Sequence, residues 1–167
     1  MRHFFEVLNN GVLWQGYAQG FNDMSGYWNR ESFYITILEN HIDTLGHVNH
    51  ATYLQLLELA RWDAVTQHGM GLENAQKTKI GPVIIELTIR YKRELKLRQK
   101  IRIDTQVEEF DGKIGALNQG IFTTGPEGDV CHATAHIKFA VFDMNTRKLV
   151  PPSTEWRKAV GWVESSQ

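Results

Sequence analysis

Residues 48–68 read VNHATYLQLLELARWDAVTQH, and this stretch decides the fold. It is rich in Leu, Ala, Glu and Gln, holds no Gly or Pro, and runs straight into Gly69, so it predicts one long helix with a glycine just past its end. Tyr53, Leu56, Leu57, Ala60, Ala64 and Val65 cover more than half of the circumference of such a helix. A helix that is apolar on so many sides must be wrapped by something else.

The wrapper lies on both sides of it. Upstream, Phe33, Ile35 and Ile37 alternate with Tyr34, Thr36 and Leu38, the period of two of a strand with one buried face. Downstream, strand-like runs cover 80–93, 101–110, 113–124 and 130–142. Ile85, Leu87, Ile89 and Tyr91 oppose Glu86, Thr88, Arg90 and Lys92 in the first of these, and Ile101, Ile103, Thr105 and Val107 oppose Arg102, Asp104, Gln106 and Glu108 in the second. In the last, Ala133, Ala135, Ile137, Phe139 and Val141 oppose His132, Thr134, His136 and Lys138. That places His132 and His136 on one solvated or partner-facing strand face and turns Cys131 toward the core. Asp111-Gly112 and the GPEG turn at 125–128 make the connections antiparallel hairpins. The expectation is an α+β fold, a curved antiparallel sheet wrapped around one central helix. Residues 1–27, with four glycines and no clean period, read as an N-terminal extension; residues 28–152 as the domain proper; and residues 153–167 as a short helix, capped by Ser153, with a tail.

Composition narrows the classes. A chain of 167 residues allows one domain, and 42% apolar residues are enough for a sizeable core. Eighteen basic against nineteen acidic residues lack the charge footprint of a nucleic-acid binder. The lone Cys131 rules out an intrachain disulfide and fits a reducing, cytoplasmic setting. Glu6, Asn9, Asn10 and Gly11 interrupt the apolar N-terminus, so no signal peptide or membrane span is expected.

Chemistry concentrates between the first strand and the helix, in His41-Ile42-Asp43-Thr44-Leu45-Gly46-His47-Val48-Asn49-His50-Ala51-Thr52-Tyr53-Leu54. An acidic residue in a glycine-containing loop just before a helix sits near the unpaired N–H groups of the first turn. A thioester or ester held there meets a base or nucleophile on one side and an oxyanion site on the other, a layout suited to acyl transfer.

Asp43, Gly46, Val48, Asn49, His50, Ala51, Tyr53 and Leu54, followed by Glu58, Ala60 and Arg61, resemble the signature of hotdog-fold thioesterases of the hydroxybenzoyl-CoA thioesterase and tol-pal-associated acyl-CoA thioesterase type. The resemblance spans about residues 28–152. It implies a hotdog fold and a cofactor-free hydrolysis of acyl-CoA. Asp43 would be the catalytic carboxylate, His50 an assisting residue whose backbone N–H polarises the carbonyl, and His47, Asn49 and Tyr53 would lie against substrate. Other members carry the working carboxylate at the position of Glu58. The family also implies a homodimer or homotetramer whose active site forms across the join.

Plainer readings stand beside these. Asp43 can brace its own loop, Glu58 and Arg61 can form a buried ion pair at i, i+3, and His50 can be an ordinary helix-start residue. His41, His47 and His50 match no standard zinc spacing, so no metal is expected. Arg90, Lys92, Arg93, Lys96, Arg98, Lys100 and Arg102 fall within thirteen positions with Glu94 the only acid. They are either a solvated face or, at Arg90, Lys92 and Arg93 above all, a clamp for the phosphates of coenzyme A. Acyl-CoA thioesterase is the leading function. The rivals are an acyl-carrier-protein thioesterase and a non-catalytic acyl-CoA-binding module.

Overall fold

The structure, a computed structural model, describes residues 26–164; the expected N-terminal extension lies outside the described residues up to position 25. The long helix is α1, His50–Gln67. Asn49 caps it by accepting a hydrogen bond from the Ala51 amide at 2.9 Å, and Gly69 beyond its end takes the left-handed φ of 76° that favours glycine. Tyr53, Leu56, Leu57, Ala60, Ala64 and Val65 are all buried, and Thr52 joins them.

The main sheet is built from β2 (Arg30–Thr36), β3 (Ile80–Tyr91), β4 (Lys100–Asp111), β5 (Ile114–Gly125) and β6 (Gly128–Asp143), antiparallel in the order β2-β4-β5-β6-β3. Three-residue β7 (Lys148–Val150) pairs with the end of β6. The sheet curls round α1, so that Ile37, Ile101, Ile103, Ile121 and Ile137 form one core with Leu56 and Leu57. This is the expected architecture. Among the described residues no helix is long and apolar enough to cross a membrane.

Elements absent from the sequence reading are short. A second helix, α2 (Leu72–Thr78), leads into β3, and β1 (Gly26–Trp28) pairs with β8 (Trp162–Glu164) in a separate two-stranded sheet. Gly161 is required there: a Cβ would sit 2.6 Å from the Asn29 carbonyl oxygen, at a φ of +100°. Between them α3 (Thr154–Ala159) starts on Ser153 as expected, the Ser153 hydroxyl accepting from the Trp156 amide at 3.2 Å. Trp156 reaches the main core, where its ring meets Phe110 and Phe139.

Two bulges correct the expected alternation. On β3 the register shifts between Ile84↔Phe139 and Glu86↔Lys138. The extra residue, Ile85, is 51% exposed instead of facing inward with Leu87 and Ile89. On β6 the pairing passes from Ile121↔Ala133 to Phe122↔Cys131, leaving His132 as the extra residue. One inserted residue reverses the face of what precedes it. His132 is therefore buried rather than solvated, and Cys131 pairs with Phe122 instead of joining Ala133 in the core.

Candidate functional site

The loop before α1 is a closed turn. Ile42 and Val48 form an antiparallel bridge, the Asp43 amide donates to the His47 carbonyl at 2.8 Å, and the Gly46 amide donates to the Asp43 carbonyl at 3.1 Å. Gly46 makes the turn at a φ of 84°. The carboxylate of Asp43 folds back: its Oδ1 accepts from the Leu45 amide at 2.8 Å and from the His47 amide at 3.4 Å. The bracing role is thus real. Oδ2 accepts nothing among the described residues, which leaves one oxygen of a half-buried carboxylate available for chemistry.

At the helix start, Asn49 satisfies two amides, Ala51 through its side chain and Thr52 through its carbonyl. The His50 N–H at the first helical position has no partner among the described residues, and the His50 side chain is exposed. A free amide at a helix N-terminus carries the partial positive charge that a developing oxyanion needs.

A second segment, residues 91–95, holds this loop in place. The Val48 amide donates to the Leu95 carbonyl at 2.9 Å, the Tyr53 hydroxyl donates to the Arg93 carbonyl at 3.4 Å, and the Tyr91 hydroxyl donates to the His50 carbonyl at 3.1 Å. Tyr53 and Tyr91 meet edge to face at 5.2 Å. Tyr53 is buried, and burial pushes its hydroxyl above the ordinary tyrosine range. Its contacts tie α1 to the end of β3.

His47 Nε2 lies 2.9 Å from Glu94 Oε2, whose other oxygen is 2.8 Å from Lys96 Nζ. The Lys96 hydrogen bond, with help from the charges of Lys96 and His47, holds the Glu94 carboxyl below its usual range. Beneath them, the buried His132 ring bridges the Glu94 carbonyl, at 3.0 Å from Nδ1, and Thr123 Oγ1, at 2.9 Å from Nε2. Burial pushes the His132 pKa below the ordinary imidazole value, so the neutral ring is the favoured form. The His132 carbonyl in turn accepts from the Lys92 and Arg93 amides. Glu94, Leu95, Thr123 and His132 were not singled out for the site from sequence. The one available signal was Glu94, the lone acid inside the basic run.

That run does not act as one patch. Lys96 pairs with Glu94, Arg98 with Glu39, and Arg102 with both Asp104 and Asp129. Arg90, Lys92, Arg93 and Lys100 make no ion pair among the described residues, and Lys92 lies against the Cys131 thiol, which burial pushes up. The four cations without an acid include all three nominated for phosphate contact.

Glu58 stands apart. It is exposed two turns along α1, and no ion pair with Arg61 forms. Arg61 instead donates to Gln119 Oε1 at 2.7 Å, while Gln119 Nε2 donates to the Leu57 carbonyl and to Thr105 Oγ1 at 3.0 and 2.8 Å. The expected pair fails because the guanidinium turns under the helix to the sheet while Glu58 turns out to solvent. Asp43, His47, Asn49, His50, Tyr53 and Arg93 therefore gather at the helix start, and Glu58 does not.

In family and fold, the chain is similar to known thioesterases. A family model described as the thioesterase-like superfamily matches residues 37–160. The long-chain acyl-CoA thioesterase FadM of Escherichia coli strain K12 is 36% identical over 124 residues, covering 71% of this chain and 87% of FadM. Among solved structures, the probable thioesterase YbaW from Escherichia coli superposes with a TM-score of 0.66 at 32% identity, covering 77% of this chain and 95% of that one. SAV2348 from Staphylococcus aureus, solved in complex with CoA, superposes with a TM-score of 0.70 at 17% identity over 84% of this chain and 85% of that one, a likeness of fold alone.

Proposed function

Because the chain belongs to the thioesterase-like superfamily, we propose that it is an acyl-CoA thioesterase that hydrolyses a CoA thioester to the free acid and CoA. The observation that carries the reading is the free Oδ2 of Asp43 beside a helix start whose first amide, His50 N–H, is unclaimed. The carbonyl oxygen of the thioester accepts from the His50 amide, and Asp43 acts as base toward water or as nucleophile on the carbonyl carbon. The C–S bond breaks, the thiol of CoA leaves with a proton, and the oxygen of water ends in the carboxylate product. Water and side chains suffice for this balance. The lone thiol of Cys131 fits a cytoplasmic setting.

Hydrolysis of acyl-CoAs of graded length and aromaticity, followed by release of free CoA, tests the proposal. Turnover of at least one class is expected. No release from any acyl-CoA, with turnover of acyl-carrier-protein thioesters, would transfer the reading to that rival; no turnover with either, alongside tight acyl-CoA binding, would make the chain a binding module.

The unpaired cations Lys92 and Arg93 are the proposed phosphate contacts. Lys92→Gln with Arg93→Gln should raise KM for CoA thioesters roughly tenfold, the effect of losing about one charge-assisted hydrogen bond, and leave a small thioester without the nucleotide unaffected. Equal loss with both substrates would remove the clamp.

The assembly proposed is a homodimer, with a tetramer as its further pairing. β3 is a sheet edge with Ile80, Ile84, Ile85 and Tyr91 exposed, and α1 shows Leu54 and Leu59 to solvent. Light scattering over a dilution series should find a dimer, and Ile85→Lys should give an inactive monomer. A fully active monomer would sink both the dimer and a site shared between subunits.

A further inference from the structure

The bulge on β6 turns His132 inward, and the residue is 4% exposed. Bulges recur beside active sites, where the extra residue re-aims a side chain. Burying an imidazole is costly unless its nitrogens find partners, and here both do. The Glu94 carbonyl, 3.0 Å from Nδ1, can only accept, so Nδ1 carries the proton. In the neutral ring that burial favours, Nε2 then accepts from the Thr123 hydroxyl, 2.9 Å away. Thr123 of β5 therefore fixes which way the ring points, and the ring fixes the Glu94 carbonyl.

What the ring holds is the segment that holds the site. The His132 carbonyl accepts from the Lys92 and Arg93 amides at 2.8 and 3.1 Å, so the main chain and side chain of one residue grip three residues in a row. Next to them, the Leu95 carbonyl accepts from the Val48 amide and the Glu94 carboxylate meets the His47 ring. His47 and Val48 are the residues that close the Asp43 turn: the His47 carbonyl accepts from the Asp43 amide, the His47 amide donates to Asp43 Oδ1, and Val48 bridges to Ile42. A continuous run of contacts thus leads from Thr123 through His132 and segment 92–95 to the Asp43 carboxylate. The side chains of His47 and Glu94 are 38% and 50% exposed, and an ion pair so open to water contributes little by itself. The rigidity of the segment comes from its buried end.

On the reading that the free oxygen of Asp43 and the His50 amide form the reaction centre, we infer that His132 is a positioning residue for the hydrolysis: its ring, oriented by Thr123, sets where segment 92–95 holds the Asp43 turn. It acts through that segment and touches neither substrate nor reacting atoms. The role needs a donor and an acceptor on opposite sides of one buried side chain, which an apolar ring of similar size does not supply.

The test compares the native protein with His132→Phe, His132→Asn and Thr123→Val. For each, kcat and KM for a CoA thioester are measured well below the melting temperature, together with backbone amide exchange at Asp43 and Val48. His132→Phe keeps a ring and loses both hydrogen bonds. Its kcat should fall roughly 10- to 100-fold, the scale of a catalytic group displaced by about 1 Å. Its KM should stay within about twofold of native, because the backbone carbonyl that aligns Lys92 and Arg93 is retained. Exchange should accelerate at Asp43 and Val48 and stay native in the interior of α1. Asn offers an amide N–H in place of Nδ1–H, so His132→Asn should restore kcat to within about fivefold of native, the worth of the one neutral hydrogen bond it still lacks. If His132→Phe does not fold, Thr123→Val carries the test: removing the hydroxyl alone should lower kcat about fivefold and accelerate the same two amides. Native kcat and native exchange in the folded variant overturn the inference and leave the thioesterase reading in place. So does a loss that Asn fails to restore and that comes with faster exchange throughout the chain, the behaviour of a histidine that only stabilises the fold. If the native protein hydrolyses no thioester, the proposed function fails, and exchange at Asp43 and Val48 alone decides whether His132 holds the turn.

Discussion

Asp43→Asn is expected to lower the hydrolysis rate by roughly 10²- to 10⁴-fold, the contribution typical of a general base, with a melting temperature close to that of the native protein. Asn is the informative substitution because of what Asp43 does locally. Its Oδ1 accepts from the Leu45 and His47 amides, and the amide oxygen of Asn keeps that turn closed. What Asn removes is the basic, nucleophilic second oxygen, which has no local partner among the described residues. Turnover and melting temperature measured on the same preparation separate the two roles. Retention of more than about a tenth of the native rate, against that expected loss, would move the catalytic carboxylate to Glu58, the acid exposed farther along α1. Glu58→Gln would then be the variant that is stable and inactive.

The largest effect on stability is expected at Gln119, which is 1% exposed. Its amide ties β5 to two other elements: it accepts from Arg61 of α1, donates to the Leu57 carbonyl of the same helix, and donates to Thr105 of β4. Arg61 is half-buried, and burial pushes its pKa below the ordinary guanidinium range. Gln119→Leu conserves much of the shape but leaves that cation without its acceptor, a loss of about 1.5–3 kcal/mol, the scale of a hydrogen bond to a charged group. For a protein of this size that corresponds to a fall in Tm of about 3–12 °C. Gln119→Glu keeps an acceptor toward Arg61 while losing the donor toward the Leu57 carbonyl, so its Tm should fall between the other two. A thermal melt of Gln119→Leu within about 2 °C of the native protein, less than the shift expected for 1 kcal/mol, would show that Arg61 finds another partner.

Where each element begins and which face it buries was legible at once in α1 and in most of the sheet. Gly69 past the end of α1, Ser153 as the cap of α3, and the alternation of Ile101, Ile103 and Val107 all follow from neighbours within a turn or a pleat, and the structure keeps them. The placement of Asp43, Asn49 and His50 around the helix start was legible for the same reason, since all three lie within eight consecutive residues.

What the sequence by itself determined is therefore local: helix, strands, caps and the loop that brings a carboxylate to a helix N-terminus. Tertiary structure alone decided the partners. Arg61 met Gln119, 58 positions away, rather than Glu58 at three, because the half-buried guanidinium turns under the helix toward buried Gln119 while Glu58 faces water. His132 left the solvent face because one bulged residue on β6 changed its pairing, and from there it fastened the Glu94 carbonyl beneath the site. The aromatic cluster of Phe110, Phe139 and Trp156 forms only because α3 returns Trp156 to the core. Periodicity reports the side chains a residue meets along its own strand or helix. A register shift of one residue, or the arrival of a distant segment, leaves that local pattern unchanged and still alters what each side chain touches.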